Sequence, residues 1–114
     1  METKVVNVKK KHTGVNLKEW CSKEDQVYIG RRGIVFIDGK RYPKENSIFC
    51  NPFKINKDNS REDVLNKYKM HLMNQLKDSD FEEEFMRLKG KTLGCWCKPE
   101  GCHGDIIIEM LSKY

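Results

Sequence analysis

The residues best suited to chemistry lie close together in the sequence: three of the five cysteines and one of the three histidines fall between Cys95 and His103. The three thiols and the imidazole provide four soft ligands, the number that structural zinc takes. The spacing is imperfect, because paired zinc ligands are usually separated by two to four residues, whereas Cys102 and His103 are adjacent. Zinc is therefore an alternative hypothesis, with Cys95, Cys97, Cys102 and His103 as its ligands.

The favoured hypothesis is a ligand pocket in which Cys102 and His103 are the catalytic residues. Cys102 comes directly before an apolar helical pattern, and a thiol at a helix N-terminus is stabilised as its thiolate by the helix dipole and free N–H groups. The same N–H groups can hold a phosphate. His103 would then act as an acid, a base or a phosphate donor, and the small Gly101 and Gly104 would let a ligand come close.

A structural role is the third interpretation of the same cluster. Cys95, Trp96 and Cys97 would then fill the core, and His103 would bond a carbonyl near the start of the helix. For Trp96 alone we favour this interpretation. For the thiols and the imidazole together we favour a site, because a loop such as residues 99–101 seldom buries so many thiols for packing alone.

Three polar residues elsewhere in the sequence are candidates for the same pocket. Arg31 follows an apolar run and a glycine, so it is placed to reach an anion at the carboxyl ends of parallel strands. Asn51 precedes Pro52, which favours an extended conformation at Asn51 and a bend after it. Arg61 falls in the first turn of a predicted helix, where the dipole disfavours a cation, so a specific partner is expected for it.

Strands and helices must bring these residues together. Short apolar runs predict three strands, at residues 5–8, 27–30 and 93–96, the last of them central. Asp38 and Gly39 lie between alternating apolar residues, which predicts a β-hairpin over residues 34–42. The basic residues 9–12 are expected in a solvated loop.

Three helices are predicted from caps and periodicity. Ser60 and Asp63 form a capping box for a helix to about Leu76. The other two helices are expected at residues 80–88, with Asp80 as the cap, and at about residues 102–113. The order of elements predicts an α/β fold, a small three-layer Rossmann-like domain with a short, largely parallel sheet and the hairpin as an insertion.

Composition narrows the class of protein. A chain of 114 residues can build one core, so residues 1–114 are expected to form a single domain. The net charge of +5 favours anionic partners. No apolar run approaches the roughly 20 residues of a membrane span. An odd number of cysteines argues against a complete disulfide framework, so we expect reduced thiols and a cytoplasmic location, in the host cell if the protein is virus-encoded.

Several segments together resemble a known family; they are residues 27–31, 51–53, 60–64 with Tyr68, and 93–105. They look like the small family called domain of unknown function 4326, found in bacteria, phages and large DNA viruses. The resemblance implies these motif positions: Asn7, Gly30, Arg31, Asn51, Pro52, Phe53, Arg61, Tyr68, Cys95, Cys97, Pro99, Cys102 and His103. It implies no reaction, but it places the scattered polar residues in one pattern. The chain departs from the family at residues 34–44, an inserted hairpin, and at Cys50, where Gly is common.

The favoured function is binding of a nucleotide or another phosphate-bearing ligand, either in a binding protein or in an enzyme. The expected ligand-binding residues are Arg31, Asn51, Arg61, Cys95 and Cys97, next to the catalytic pair. The alternatives are a zinc-stabilised interaction module and a basic nucleic-acid-binding protein that uses residues 9–12. The expected partner is a small anionic ligand, with nucleic acid as a second candidate. No membrane contact is expected, and the pattern is compatible with a homo-oligomer.

Overall fold

A parallel three-stranded sheet forms the centre of the protein, whose computed structural model describes residues 2–98 and 100–114. Met1 and Pro99, the latter an expected motif position, lie outside the described residues. The elements are, in chain order, β1 (Lys4–Asn7), α1 (Lys10–Thr13), α2 (Leu17–Cys21), β2 (Gln26–Tyr28), β3 (Val35–Ile37), β4 (Lys40–Tyr42), α3 (Arg61–Gln75), α4 (Ser79–Met86), β5 (Thr92–Cys95) and α5 (His103–Leu111).

The strand β5 lies in the middle of the sheet, in the order β1–β5–β2. Leu93 pairs with Val5 on one side and with Val27 on the other, and both pairings are parallel. Parallel strands are normally buried on both faces, and the apolar run that predicted β5 has this character. The predicted central position of this strand is confirmed.

Packed elements cover both faces of the sheet. On one face Leu93 packs with Tyr68 of α3, Phe85 of α4 and Ile107 of α5, and all four side chains are buried. On the other face a smaller buried cluster is formed by Val8, Leu17 and Trp20, with side chains of α2 and the hairpin against it. The protein therefore has the predicted α/β fold, in which the sheet is the middle of three layers.

The hairpin is a separate two-stranded antiparallel sheet formed by β3 and β4. Its turn residues Asp38 and Gly39 have φ angles of 53° and 77°. Positive φ at both central residues is what a type I′ turn requires, and this turn matches the twist of a hairpin. The hairpin predicted over residues 34–42 is confirmed.

Helix α3 begins where the sequence predicted. The Ser60 hydroxyl accepts a hydrogen bond from the Asp63 N–H at 3.1 Å, and the Asp63 carboxylate accepts one from the Ser60 N–H at 3.0 Å. This is the reciprocal capping box expected from the residue types. The box fixes Arg61 in the first turn of α3, facing the carboxyl ends of the strands.

Two helical predictions need correction. The cap of α4 is Asp78 rather than Asp80, because the Asp78 carboxylate accepts hydrogen bonds from the N–H groups of Asp80 and Phe81. Part of the basic segment expected as a loop is the short helix α1, which ends at Gly14 with a φ of 80°. Within residues 2–98 and 100–114, no helix is long and apolar enough to cross a membrane.

Candidate functional site

A cavity of about 290 Å³ opens beyond the carboxyl ends of β2 and β5, between the N-termini of α3 and α5. Ligands of open α/β sheets bind in this position. The cavity is lined by six of the seven predicted site residues: Arg31, Asn51, Arg61, Cys97, Cys102 and His103. The seventh, Cys95, is buried behind them against Cys102.

Arg31 fixes one wall of the cavity. Its guanidinium donates from Nε and Nη2 to the Asn51 carbonyl at 3.0 and 2.8 Å, and from Nη2 to the Phe53 carbonyl at 3.1 Å. The Asn51 side-chain oxygen accepts the Phe53 N–H at 2.9 Å, which closes a local turn. Arg31 therefore positions the loop that carries Asn51, and its Nη1 has no hydrogen-bond partner among the described residues.

Arg61 fixes a second part of the cavity lining. Its Nη1 donates to the Gly101 carbonyl at 2.7 Å, which ties the first turn of α3 to the loop before α5. This contact is the specific partner expected for a cation in an unfavourable helix position. Nε and Nη2 of Arg61 have no partner among the described residues, so the guanidinium can donate to a ligand.

His103 is buried, with 7% of its surface exposed, and its ring orientation is set by the backbone. Nε2 lies 2.7 Å from the Ile29 carbonyl oxygen. Because that oxygen can only accept, Nε2 carries the proton and Nδ1 of the neutral ring is an acceptor. The Tyr68 ring packs edge-on against the imidazole, with 5.1 Å between ring centroids. Burial lowers the pKa of His103, so the neutral ring is the favoured form.

This pKa shift predicts that acid destabilises the fold through His103. The unfolded chain protonates His103 near its ordinary pKa of about 6.5, whereas the folded protein keeps the ring neutral to lower pH because burial outweighs the opposing Ile29 carbonyl, Cys97 and Asp105. The unfolded state then binds more protons, so the free energy of unfolding falls as the pH drops from about 7 to 5.

Urea denaturation at several pH values measures this effect. The pH dependence is expected to weaken in His103→Gln, whose amide can still donate to the Ile29 carbonyl. His12→Gln, at an exposed position, is the matched control and should keep the wild-type pH dependence. An unchanged pH dependence in His103→Gln would contradict the interpretation.

Two of the three clustered thiols are buried. Cys95 and Cys102 are each 1% exposed, and their sulfur atoms lie 3.0 Å apart. Cys102 is the N-cap of α5, since its sulfur accepts the Gly104 N–H at 3.2 Å and its own N–H donates to the Asp105 carboxylate at 3.1 Å. The α5 amides that were expected to hold a phosphate are thus used in part by the cap itself.

Cys97 is the more exposed of the two thiols that line the cavity. It is half-buried, and hydrogen bonds from the Cys102 and Cys95 thiols lower its pKa, with smaller contributions from His103 and Arg61. Those contacts have the opposite effect on Cys102, whose pKa is raised by its hydrogen bonds to Cys95 and Cys97 and by burial. These directions favour the thiolate at Cys97 over the thiolate at Cys102, and the catalytic role expected for Cys102 stays a prediction.

Comparison with known proteins shows which family the chain belongs to. The family model "Domain of unknown function (DUF4326)" matches residues 4–113. The chain belongs to this family. It is 35% identical over 99 residues to an uncharacterised protein of Acanthamoeba polyphaga mimivirus, covering 77% of this chain and 70% of that protein. It is also 34% identical over 55 residues to an uncharacterised 12.4 kDa protein from the nrdA-td intergenic region of Enterobacteria phage T4, covering 47% of this chain.

The match to the phage protein covers only 51% of that protein's length, about half. No solved structure is significantly similar to the chain. The motif positions that the resemblance implied for this DUF4326 domain include Tyr68, which is fully buried. Its hydroxyl donates to the Phe49 carbonyl at 2.7 Å while its ring packs on His103, so it supports two sides of the cavity.

Lys54 is a cavity residue that sequence reasoning missed. The only sequence signal for Lys54 was its position directly after the Asn-Pro-Phe turn of this DUF4326 domain. Among the described residues, no group of three or more His, Cys, Asp or Glu side chains is arranged to hold a metal ion. The zinc hypothesis for Cys95, Cys97, Cys102 and His103 stays a prediction.

A second, larger cavity of about 890 Å³ lies over β1 on the other face of the sheet. Its walls carry Lys4, Lys23 and Lys98 together with His12, and it contains none of the seven predicted site residues. Lys98 is paired with Asp105, with 2.5 Å between Nζ and Oδ1. The smaller cavity of this DUF4326 domain is the candidate site because the arginines, the thiol and the imidazole meet there.

Proposed function

We propose that the cavity between α3 and α5 binds a small phosphate-bearing molecule, such as a nucleotide. The observation that carries the proposal is the pair Arg31 and Arg61, which both line the cavity with each guanidinium held by backbone carbonyls. Arginine is well suited to phosphate, because its planar donors match the phosphate oxygens and it is always charged. Lys54 adds a third positive charge to the lining.

The size of the cavity supports a small ligand rather than a polymer. Its volume of about 290 Å³ is at the lower end of the range for small-molecule sites, which is about 300–1,000 Å³. Anchoring the arginines in advance also reduces the side-chain entropy that binding would otherwise cost. A phosphate group between Arg31 and Arg61, with a small organic portion over Phe53, is the ligand that this lining favours.

The remaining polar groups would orient the ligand. The Nδ1 atom of the neutral His103 can accept a hydrogen bond from a ligand hydroxyl or amine, and it is placed to act as a base rather than as an acid. Cys97 presents the thiol of lowered pKa to the same space. A reaction on the bound ligand would therefore use Cys97 as the nucleophile and His103 as the proton acceptor.

The variant Arg61→Gln is expected to weaken phosphate-ligand binding by about tenfold or more, since a hydrogen bond to a charged group contributes about 1.5–3 kcal/mol. Binding is measured by calorimetry with inorganic phosphate and with the nucleoside monophosphates of the four RNA bases. Arg61 is preferred to Arg31 because Arg31 also holds the Asn51–Phe53 loop.

The matched control is Arg32→Gln, which removes the same charge from the exposed position that follows Arg31. It should bind the probe like the wild type. The proposal fails if none of these probes binds the wild-type protein, or if Arg61→Gln and Arg32→Gln bind a probe equally well.

A further inference from the structure

We propose that the outward face of the hairpin, which carries Ile34, Phe36 and Arg41, binds single-stranded nucleic acid. A base would stack on Phe36, and the cations around the ring would contact the phosphates. These residues are absent from the lining of the cavity between α3 and α5. The inference therefore goes beyond the binding of a small phosphate-bearing ligand.

The two faces of the hairpin have different surroundings. On the inward face Val35, Ile37 and Tyr42 pack against the smaller buried cluster of the protein. Successive side chains of a strand point to opposite faces, so Phe36 points away from that cluster. Phe36 is 66% exposed and Ile34 is 45% exposed. The inward contacts therefore anchor a strand that presents an aromatic ring to solvent.

Arg41 is held beside the exposed ring. It pairs with Phe36 across the two strands, and its guanidinium carbon lies 4.6 Å from the centroid of the Phe36 ring. Its Nη1 donates to the Gly33 carbonyl at 3.0 Å, whereas Nε and Nη2 have no hydrogen-bond partner among the described residues. A guanidinium fixed before binding loses less entropy on binding. Arg41 is thus prepared to donate to a phosphate next to a base stacked on Phe36.

The charge around the ring is strongly positive. Residues 32–44 contain one carboxylate, at Asp38, and four cations: Arg32, Lys40, Arg41 and Lys44. None of the four cations forms an ion pair within the described part of the chain. A cavity of about 440 Å³ next to Arg41 is lined by Arg32, Gly33, Arg41, Pro43 and Lys44. Free cations at this density favour a polyanion as the partner.

A single strand suits this surface better than other partners do. Stacking needs an open base face, and single strands offer unstacked bases that a duplex does not. A second copy of the chain would bring two positively charged hairpins together, which repulsion disfavours. An acidic peptide would neutralise the cations but offers no base to Phe36. A mononucleotide would make only one stacking contact and one phosphate contact here, whereas a strand adds several such contacts.

The test is a fluorescence anisotropy titration of the full-length protein with a labelled oligothymidylate of about 15 nucleotides that lacks a terminal phosphate. Phe36→Ala is expected to weaken binding about tenfold without changing its salt dependence, because it removes stacking and no charge. Phe36→Tyr keeps the ring and should bind like the wild type. The matched control is Met70→Ala, at a position of α3 that is 67% exposed, and it should also bind like the wild type.

Salt dependence measures the contribution of the cations. The double variant Arg41→Gln, Lys44→Gln removes two phosphate contacts. The slope of the logarithm of the binding constant against the logarithm of the salt concentration should therefore become shallower by about 1.4. The control is the double variant Lys77→Gln, Lys113→Gln, which removes the same charge from exposed positions outside the hairpin and should keep the wild-type slope.

Four results would overturn the proposal. The first is that the oligonucleotide does not bind at about 50 mM salt, where electrostatic binding is strong. The second is equal affinity in Phe36→Ala and Met70→Ala. The third is tighter binding of a duplex of the same length. The fourth is that polyglutamate competes as effectively as the unlabelled oligonucleotide, which would identify an acidic protein as the partner.

Discussion

Iodoacetamide at pH 6 is expected to alkylate Cys97 about a hundredfold faster than Cys50, because the thiolate is the reactive form and each unit of pKa changes its fraction tenfold. Hydrogen bonds from the Cys102 and Cys95 thiols lower the pKa of Cys97. Burial raises the pKa of Cys50 and outweighs the nearby Arg31. Both side chains are half-buried, so the difference between their alkylation rates reflects thiol ionisation more than solvent access.

The difference between the alkylation rates of Cys97 and Cys50 is also expected to depend on pH. As the pH rises toward about 9, the Cys50 thiol begins to ionise and its rate climbs, while Cys97 is already a thiolate and its rate stays level. The ratio of the Cys97 alkylation rate to the Cys50 alkylation rate is smaller than the ratio of their thiolate fractions, because a thiolate of low pKa is intrinsically less nucleophilic. Timed alkylation with mass spectrometry from pH 5.5 to 9 measures both rates. Equal rates at pH 6 would show that Cys97 is protonated there.

Gly94→Ala is expected to lower the free energy of unfolding by about 2–3 kcal/mol, the cost of overpacking a filled core. A Cβ atom at Gly94 would lie 2.5 Å from Val8 Cγ1 and 2.6 Å from the Trp20 ring. Val8 and Trp20 are themselves buried, so neither can turn aside into solvent. The strain would act in β5, the strand on which both other strands depend.

The matched control is Gly101→Ala in the loop before α5. A Cβ atom there meets only Arg61 Cδ at 3.5 Å and Leu65 Cδ1 at 3.6 Å, which are ordinary contacts. Its stability should stay within about 0.5 kcal/mol of the wild type. Urea denaturation of both variants measures the difference, and similar midpoints for the two would refute the packing argument.

Features that depend on a few neighbouring residues could be predicted from the sequence. The turn at Asp38 and Gly39 and the capping box of Ser60 and Asp63 were confirmed, because φ preferences and side-chain reach act over two to four residues. Adjacent alternatives were harder to separate. Asp78 and Asp80 can both cap a helix, and only the contacts of Asp78 with the following amides show which of them does.

The local geometry of the site was harder to predict from the sequence than the turn and the capping box. The sequence predicted a strand over residues 93–96, but β5 ends at Cys95 and the chain bends before Cys97. The free amides expected at α5 are partly used because Cys102 and Asp105 form a capping box with sulfur in place of a hydroxyl. The aspartate three residues after Cys102 was the available signal, although cysteine is not among the preferred N-cap residues.

Arg31 and His103 show a second reason why roles are hard to predict from residue types. Their contacts with the Asn51 and Ile29 carbonyls make them part of the framework as well as of the cavity lining. Residue type indicated a charged or titratable group in the site. Only the fold shows that removing either side chain would also leave a backbone carbonyl without its hydrogen bond.

The central position of β5 has a consequence for how the protein forms. Val5 and Val27 belong to strands that are not paired with each other, and each needs Leu93, far along the chain, before it has a neighbouring strand. Pairings between distant parts of a chain slow folding. During synthesis the helices can form early, but the sheet must wait for residues 92–95 to leave the ribosome. Until then two apolar strands stay open to association with other nascent chains.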